Sequence, residues 1–487
     1  MNSRMTSLVA TLAIATAANV SLAQTLELLD GSTVPIERVE KSIVEITERA
    51  GVTGLSVAII NGSRVVYAKG FGVRDEETGS PTDGETEFAA ASFSKTVFAY
   101  LVVLLAGDGV IDLDEPLYRY LEKPLPDYPK YADLEHDERY RAITARTVLS
   151  HTTGLPNWRF LTSDGKLTLQ WAPGERFGYS GEGVDLLQMV VEEITGTGLE
   201  DLARERVFGP LGMTRTSYVW RDRFADNLAV PHDKYGRPRR YRKRREADAA
   251  GSMTTTAGDY AKLIVAVLEA GKDGKPAMEA ILQPQVVIRS RSMFGPGSRE
   301  DVGGPDRLFW GIGWGLFDCP AGRAFFHTGH EGGTQNYNVT FADKGIGVVF
   351  LSNSDNFESA ARELAQATIG DVYSPFDWLG YPRFDPDEAR EPPPEPEVVH
   401  VDRSVLESYT GTYRLSAGIE LIVELRDGQL ACSTDGIDWV PLLGRSEARF
   451  FVKGEDFRIE FVSGGNGRAT GVILDTEGVE LRGQRTD

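Results

Sequence analysis

The segment from Pro382 to Pro396 constrains the fold of this chain more than any other. Its run Glu391-Pro392-Pro393-Pro394-Glu395-Pro396 cannot sustain a helix or a central strand, because proline fixes φ and donates no N–H. It reads as a stiff, extended linker over residues 382–405. The 487 residues must then fold as separate units on its two sides, as the size limit on a single core also requires.

After the linker, residues 406–487 are almost wholly strand and turn. Ile419, Leu421, Val423 and Leu425 alternate with Glu420, Ile422, Glu424 and Arg426, and Asp427-Gly428 supplies a turn. Phe457 to Phe461 repeats the period of two, and Gly464-Gly465-Asn466-Gly467 turns the chain again. A small antiparallel β-barrel is expected. Residues 24–381 are mixed. Pro35 to Ala50 has helical spacing in Ile36, Val39, Ile43, Val44 and Ile46. Strands Leu55–Ile60 and Arg64–Lys69 are joined in hairpin fashion by Asn61-Gly62-Ser63. Further strands are expected at Ala324–His327, Asn338–Phe341 and Gly345–Leu351, then a helix from Phe357 to Ile369. Strands at both ends with helices between predict an α+β unit: an antiparallel sheet flanked by helices, plus a helical lobe.

The first 23 residues have the form of a signal peptide. Met1 to Arg4 is basic, Met5 to Val20 apolar, and Ser21-Leu22-Ala23 a small-residue cleavage site. An uncleaved anchor is the alternative, but the apolar run is short for a membrane span. No later segment reaches spanning length, so an exported protein, periplasmic or secreted, is expected, with no integral span after signal removal. The net charge of −20 disfavours nucleic acid as a partner. Two cysteines, Cys319 and Cys432, do not make a disulfide scaffold, and CxxC motifs are absent.

Three short stretches carry chemistry. Ser92-Phe93-Ser94-Lys95 opens the apolar run Val97–Leu105, which ends near Gly107. On a helix, positions i and i+3 share a face, so the Ser92 hydroxyl and Lys95 amine can meet at the first turn. A helix N-terminus adds N–H groups and positive potential, and apolar surroundings lower a lysine pKa. The second stretch runs from Pro173 to Gly181, where a Pro-Gly turn delivers Tyr179 just before a helix, Val184–Ile194. A phenol near an ammonium ionises more readily, so Tyr179 is a candidate proton acceptor. The third is Phe325-Phe326-His327-Thr328-Gly329-His330, an expected edge strand offering N–H groups to an oxyanion. Metal binding by His327, His330 and Glu331 is the rival. A spacing of three puts the two imidazoles on opposite faces of a strand, so no metal and no other cofactor is expected.

Together these stretches, with Thr147 to Pro156, resemble the serine β-lactamase and penicillin-binding-protein superfamily, in its class C β-lactamase-related branch with DD-peptidase and esterase relatives. The order and separation of Ala91–Lys95, Thr147–Pro156, Pro173–Gly181 and His327-Thr328-Gly329 carry the likeness from about Leu55 to Asn353. The resemblance implies that Ser92 forms an acyl-enzyme beside Lys95, with Tyr179 as base and later acid. It implies that His327 stands where many relatives carry the lysine of Lys-Thr-Gly, and that Thr328, Gly329 and the His330 N–H border the substrate and oxyanion. Ser150–Pro156 looks like a scaffold loop, which makes His151 structural. One departure stands out. Gly181 replaces the asparagine of Tyr-x-Asn, an amide that in the family helps hold an acylamino side chain. With histidine at 327, this weakens the case for efficient β-lactam hydrolysis.

The C-terminal unit resembles barrels appended to D-aminopeptidases, whose loops can reach the active-site groove. The basic run Arg237–Arg245 is either a solvated loop or a cationic rim for an acidic substrate. The expected function is hydrolysis of an amide or ester in a small molecule or short peptide, through acyl-Ser92. The alternatives are a β-lactamase proper, a penicillin-binding or sensing module that acylates without turnover, and a scaffold whose barrel carries the ligand. An α/β-hydrolase fits poorly, because Glu182 occupies the last glycine of a nucleophile elbow over Gly178–Glu182.

Overall fold

The computed structural model describes residues 25–487 apart from 163, 271–275, 295–306, 388–395, 416–418, 465–466 and 477–478. The expected signal segment, the centre of the expected linker and the middle of the expected Gly464–Gly467 turn therefore lie outside the described residues.

The first unit is built on one antiparallel sheet. Its strands are β1 (Gly54–Asn61), β2 (Arg64–Asp75), β3 (Ser80–Pro81), β4 (Val286–Val287), β5 (Leu308–Trp310), β6 (Gly315–Cys319), β7 (Gly322–Glu331), β8 (Thr334–Phe341) and β9 (Ile346–Ser352). Across the sheet they run β3-β2-β1-β9-β8-β7-β6-β5-β4. The β1–β2 hairpin closes on Gly62 and Ser63, whose φ values of 58° and 59° make the twist-matched two-residue turn. Strands β1, β8 and β9 are buried on both faces, which explains the near-continuous apolar runs of β1 and β9, while β8 buries polar Thr334, Gln335, Asn336, Asn338 and Thr340. Alternation divides β1 between two cores. Val57 and Ile59 meet helix α1 (Ile36–Ala50), while Ala58 and Ile60 face the helical lobe.

That lobe is centred on α2 (Phe93–Gly107), with α3 (Gly181–Thr195) and α4 (Ala257–Ala270) beside it. Helix α2 is apolar nearly all round and correspondingly buried. On the other side of the sheet, α5 (Phe357–Ile369) packs with α1, and α1 ends at Gly51 in the left-handed conformation. Two strands are longer than their apolar patterns suggested. β2 continues to Asp75, paired with β1 as far as Gly72 and with β3 beyond, and β7 continues through His327-Thr328-Gly329 to Glu331, because β8 supplies it with ladder partners along the whole length.

The second unit is an antiparallel, nearly closed nine-strand barrel. Its strands are β10 (Gly411–Leu415), β11 (Glu420–Arg426), β12 (Gln429–Ser433), β13 (Val440–Pro441), β14 (Leu443–Gly444), β15 (Arg449–Phe451), β16 (Phe457–Ser463), β17 (Ala469–Thr476) and β18 (Val479–Arg485). The order β13-β12-β11-β10-β18-β17-β16-β15-β14 puts sequence neighbours β13 and β14 at its two ends, so the sheet curls round on itself. The chain joins this unit early. Val401 lies in its core, and the Val399 N–H donates to the Gly444 carbonyl at 2.8 Å. Cys319 and Cys432 are both free thiols, one in each unit. Among the described residues no helix is long and apolar enough to cross a membrane.

Helix α2 must sit close to the turn before β6, and glycine permits it. Gly313 has φ +79°, and a Cβ there would stand 2.3 Å from that of Ala99. Gly313→Ala is expected to destabilise the first unit by about 2–5 kcal/mol, combining overpacking with a left-handed backbone. A chemical-denaturation midpoint within error of wild type would contradict this contact.

Candidate active site

Ser92 caps the N-terminus of α2 at φ −66° and ψ −7°, and Ala91 before it is held at φ +47°. A non-glycine residue rarely adopts that conformation, so surrounding bonds must fix it. They do. The Ser94 hydroxyl donates to the Ala91 carbonyl at 2.6 Å and accepts the Met253 N–H at 3.0 Å. The Ala90 N–H donates to the Met253 carbonyl at 2.8 Å, and Phe88–Ala89 pairs with Thr254–Thr255. From the sheet, the Asn336 amide donates to the Ala89 carbonyl at 3.0 Å. Gly329 lets β7 come close, since a Cβ there would fall 2.6 Å from the Ala90 carbonyl oxygen. The Ser92 N–H makes no hydrogen bond among the described residues.

The Lys95 ammonium reaches back one turn to the Ser92 hydroxyl at 3.1 Å and donates to the Ala250 carbonyl at 2.6 Å. It lies 5.1 Å from the centre of the Tyr179 ring and 5.8 Å from that of Trp158. Lys95 is buried and makes no ion pair with any described residue. Burial lowers its pKa to about 8, against the weaker opposing pull of Asp248 and Asp185.

Tyr179 meets this pair from the loop before α3. Its ring lies 4.2 Å from the His151 imidazole and 5.8 Å from Trp310. The loop is laid against Thr147–Pro156: the Gly178 N–H donates to the His151 carbonyl at 2.8 Å, and the Ser180 hydroxyl donates to the Pro156 carbonyl at 2.8 Å. His151, at φ +53°, accepts the Ser180 N–H on Nδ1 at 3.2 Å and stays neutral through burial. The Tyr179 phenol departs from expectation. Burial raises its pKa, and only the Ser92 hydroxyl pulls the other way, without a hydrogen bond of ordinary geometry between the two oxygens. Nearness to an ammonium does not acidify this phenol, because desolvation outweighs it.

The third stretch divides between the faces of β7. His327 is fully buried on the lobe side, 6.2 Å from the Tyr179 ring. Its Nδ1–H donates to the Thr328 carbonyl at 2.7 Å, which leaves Nε2 a bare, unpartnered acceptor. Burial, aided by Lys95, holds its pKa near 3. Thr328 points to the opposite face, where its hydroxyl bonds the Tyr381 phenol at 2.6 Å and the Asn336 carbonyl at 3.3 Å. That side chain is therefore committed away from the groove. The His330 ring turns to Glu358 at 3.1 Å. His327 and His330 thus serve different surroundings, and among the described residues no group of three or more His, Cys, Asp or Glu is placed to hold a metal ion. Pairing of β6 with β7 stops at Gly315 and Phe326, so beyond Phe326 one edge of β7 lies open. The Thr328 carbonyl accepts the His327 Nδ1–H, and Thr328 and His330, two apart on the strand, present their main-chain groups to the same edge.

A cavity of about 350 Å³ opens over Ser92, bordered by Trp158, Arg240, Arg242, His330 and the barrel residue Glu455. A β-lactamase family model matches residues 39–370. The chain belongs to the β-lactamase family. It shares that family's serine-hydrolase fold, and residues 395–485 match a domain of unknown function, DUF3471. Among curated relatives of this β-lactamase-family chain, a penicillin-binding protein of Bacillus subtilis (strain 168) is 23% identical over 88% of this chain and 94% of its own. Esterase EstB of Burkholderia gladioli is 26% identical over 67% and 92%. Of solved structures, the octameric penicillin-binding protein homologue from Pyrococcus abyssi aligns with a TM-score of 0.56 at 22% identity, covering 92% of this chain and all of that one. D-alanine carboxypeptidase AmpC from Burkholderia cenocepacia aligns at 0.54 and 20% identity, over 69% and 98%.

Three contributors escape sequence reasoning: the Ala250 carbonyl, the Trp158 ring and the barrel's Glu455. A main-chain oxygen carries no sequence signature, Trp158 lies just past Thr147–Pro156 without belonging to it, and Glu455 comes from the barrel, far from every motif. Asn353 proves a cross-link, its amide donating to the carbonyls of Arg74 at 3.0 Å and Val230 at 2.9 Å.

The buried neutral histidines make the site acid-sensitive. An unfolded histidine binds a proton below about pH 6.5, whereas folded His327 does so only near pH 3, so stability falls as pH drops through that window. Urea midpoints should decline from pH 7 to pH 4.5, and His327→Gln should flatten the decline. An equal slope in the variant would contradict burial of a neutral ring.

Proposed function

We propose that this protein is a peptidase or esterase that cleaves an amide or ester through an acyl-Ser92 intermediate. The observation that carries this is the contact of the Ser92 hydroxyl with a buried Lys95 whose pKa is about 8, facing the Tyr179 phenol across one groove. Near neutral pH an appreciable share of Lys95 is the free amine, able to take the Ser92 proton as Oγ attacks the substrate carbonyl. The oxyanion is received by the N–H of Ser92 and that of His330 on the open edge of β7. As the carbon–nitrogen or carbon–oxygen bond breaks, the Tyr179 O–H protonates the leaving group and is itself reprotonated from Lys95. Water then attacks the acyl-enzyme with the same pair returning as base. The neutral phenol suits a relay rather than a standing base. His327 adds no charge beside Lys95 and so keeps its amine available.

The small cavity suits a single acyl group and a short leaving group. The barrel contributes Glu455 to its border, where Arg240 donates a backbone N–H to Glu455 at 3.4 Å. Among the described residues the Arg240 and Arg242 side chains make no ion pair or hydrogen bond, while Arg244 is engaged by Glu331 at 2.6 Å. Those two guanidiniums favour substrates that carry a carboxylate.

A chromogenic short-chain ester, a D-Ala-D-Ala peptide, a D-aminoacyl amide and a chromogenic cephalosporin form the deciding panel. Turnover should be greatest on the ester or the D-amino-acid substrates, with kcat/KM rising through about pH 8 as Lys95 loses its proton. Ser92→Ala should abolish it, and Tyr179→Phe should reduce it by roughly 10²–10⁴-fold. Activity surviving in Ser92→Ala would remove the acyl-Ser92 reading.

A further inference from the structure

The place of the missing amide at position 181 is not empty. A Cβ built on Gly181 would lie 2.4–2.8 Å from three carbons of the Trp158 indole, so any side chain there is excluded by that ring. Trp158 also borders the cavity over Ser92 and stands 5.8 Å from the Lys95 ammonium. Its neighbours on both sides are pinned. The Asn157 carbonyl accepts the N–H groups of Gly181 and Glu182 at 3.0 and 3.1 Å, and its side-chain oxygen accepts Gly181 N–H at 3.1 Å. Arg159 forms a buried two-pronged ion pair with Glu182 at 2.9 and 2.7 Å and donates to the Lys130 carbonyl at 2.7 Å. Burial pushes the Glu182 carboxyl up, but the Arg159 bonds more than offset it, so the pair stays ionised. Beyond it, Phe160 stacks nearly parallel to Trp158, with centroids 6.0 Å apart at 8°. Phe160 in turn packs on the barrel core. The result is a flat, rigid aromatic wall, partly exposed to the cavity, with the barrel behind it.

Resting on the acyl-Ser92 reading, we propose that Trp158, backed by Phe160, is the specificity-determining acyl-binding surface of this enzyme. It selects a flat, apolar acyl group, aryl-acetyl in kind, by stacking. A hydrogen-bonded acylamino group has no side chain at position 181 to receive it. The gain from stacking is geometric and needs no reordering, because Asn157 and Arg159 fix the indole before substrate arrives.

The test compares p-nitrophenyl phenylacetate with p-nitrophenyl acetate in the full-length protein. Wild type should prefer the phenylacetyl ester in kcat/KM. Trp158→Ala should lower the phenylacetyl-to-acetyl ratio of kcat/KM about tenfold, mainly through KM on the phenylacetyl ester. Trp158→Phe, which keeps a flat face over the site, should restore most of the preference, with the pH midpoint of kcat/KM unmoved. An unchanged ratio of the two esters in Trp158→Phe and Trp158→Ala, or an equal fall on both, would overturn the proposal. Should Trp158→Ala not fold, the same ratio in Trp158→Leu, which fills the space without a flat face, decides: loss of preference supports the proposal and retention overturns it. These outcomes are separate from failure of the acyl-Ser92 reading, which appears as turnover of both esters in Ser92→Ala.

Discussion

Burial of the Lys95 amine is the constraint around which the first unit is arranged. An ammonium taken out of water and left without a carboxylate in contact loses far more solvation than two hydrogen bonds return. Its partners are one carbonyl, Ala250, and one hydroxyl, Ser92. The charged form is therefore disfavoured, and in the proposed mechanism this gives Ser92 a base without any histidine–carboxylate pair. Helix α2 must be buried on all sides for this to hold, which requires the sheet on one flank, α3 and α4 on the others, and Gly313 where the backbones nearly touch.

The remaining features of the groove follow from keeping that amine dry and aimed. His151, Trp310 and the neutral His327 surround Tyr179 with flat, uncharged surface, so that nothing near the site restores the ammonium's lost solvation. Strain at Ala91 and His151 is held by backbone bonds from Met253 and Ser180, which come from separate segments. On the outer side the groove is finished by residues of different origin: Trp158 from the loop before α3, Arg240 and Arg242 from the basic run, and Glu455 from the barrel. The basic run thus lies at the junction of the two units, not in open solvent throughout.

Much of this was legible in the residues themselves. Period-two alternation located the barrel strands, the Asn61-Gly62-Ser63 turn located the first hairpin, and Ser92-x-x-Lys95 at the head of an apolar helix located the hydroxyl and amine that meet at 3.1 Å. Three things were not. Strand lengths were underestimated in β2 and β7, because ladder pairing rather than hydrophobicity carries their ends. The Tyr179 pKa was expected to fall beside Lys95 and instead rises, since burial depends on Trp310 and His151, which only the fold brings to the ring. The Thr328 hydroxyl, expected at the substrate, is held by Tyr381, the last residue before the linker, which carries no sequence signal. Conversely Glu182, which in the sequence served only to exclude a nucleophile elbow, proves to hold Arg159 and so the wall of the groove.

The state of one amine is the most direct test of the whole account. With lysines labelled at ¹³Cε and ¹⁵Nζ, and the Lys95 signal assigned by its loss in Lys95→Met, an NMR titration reads its pKa in the folded protein. A midpoint near 8 is the expected result. A midpoint at the ordinary lysine value of about 10.4 would show that the amine remains an ammonium at neutral pH, and the chemistry assigned to Ser92 would have no base.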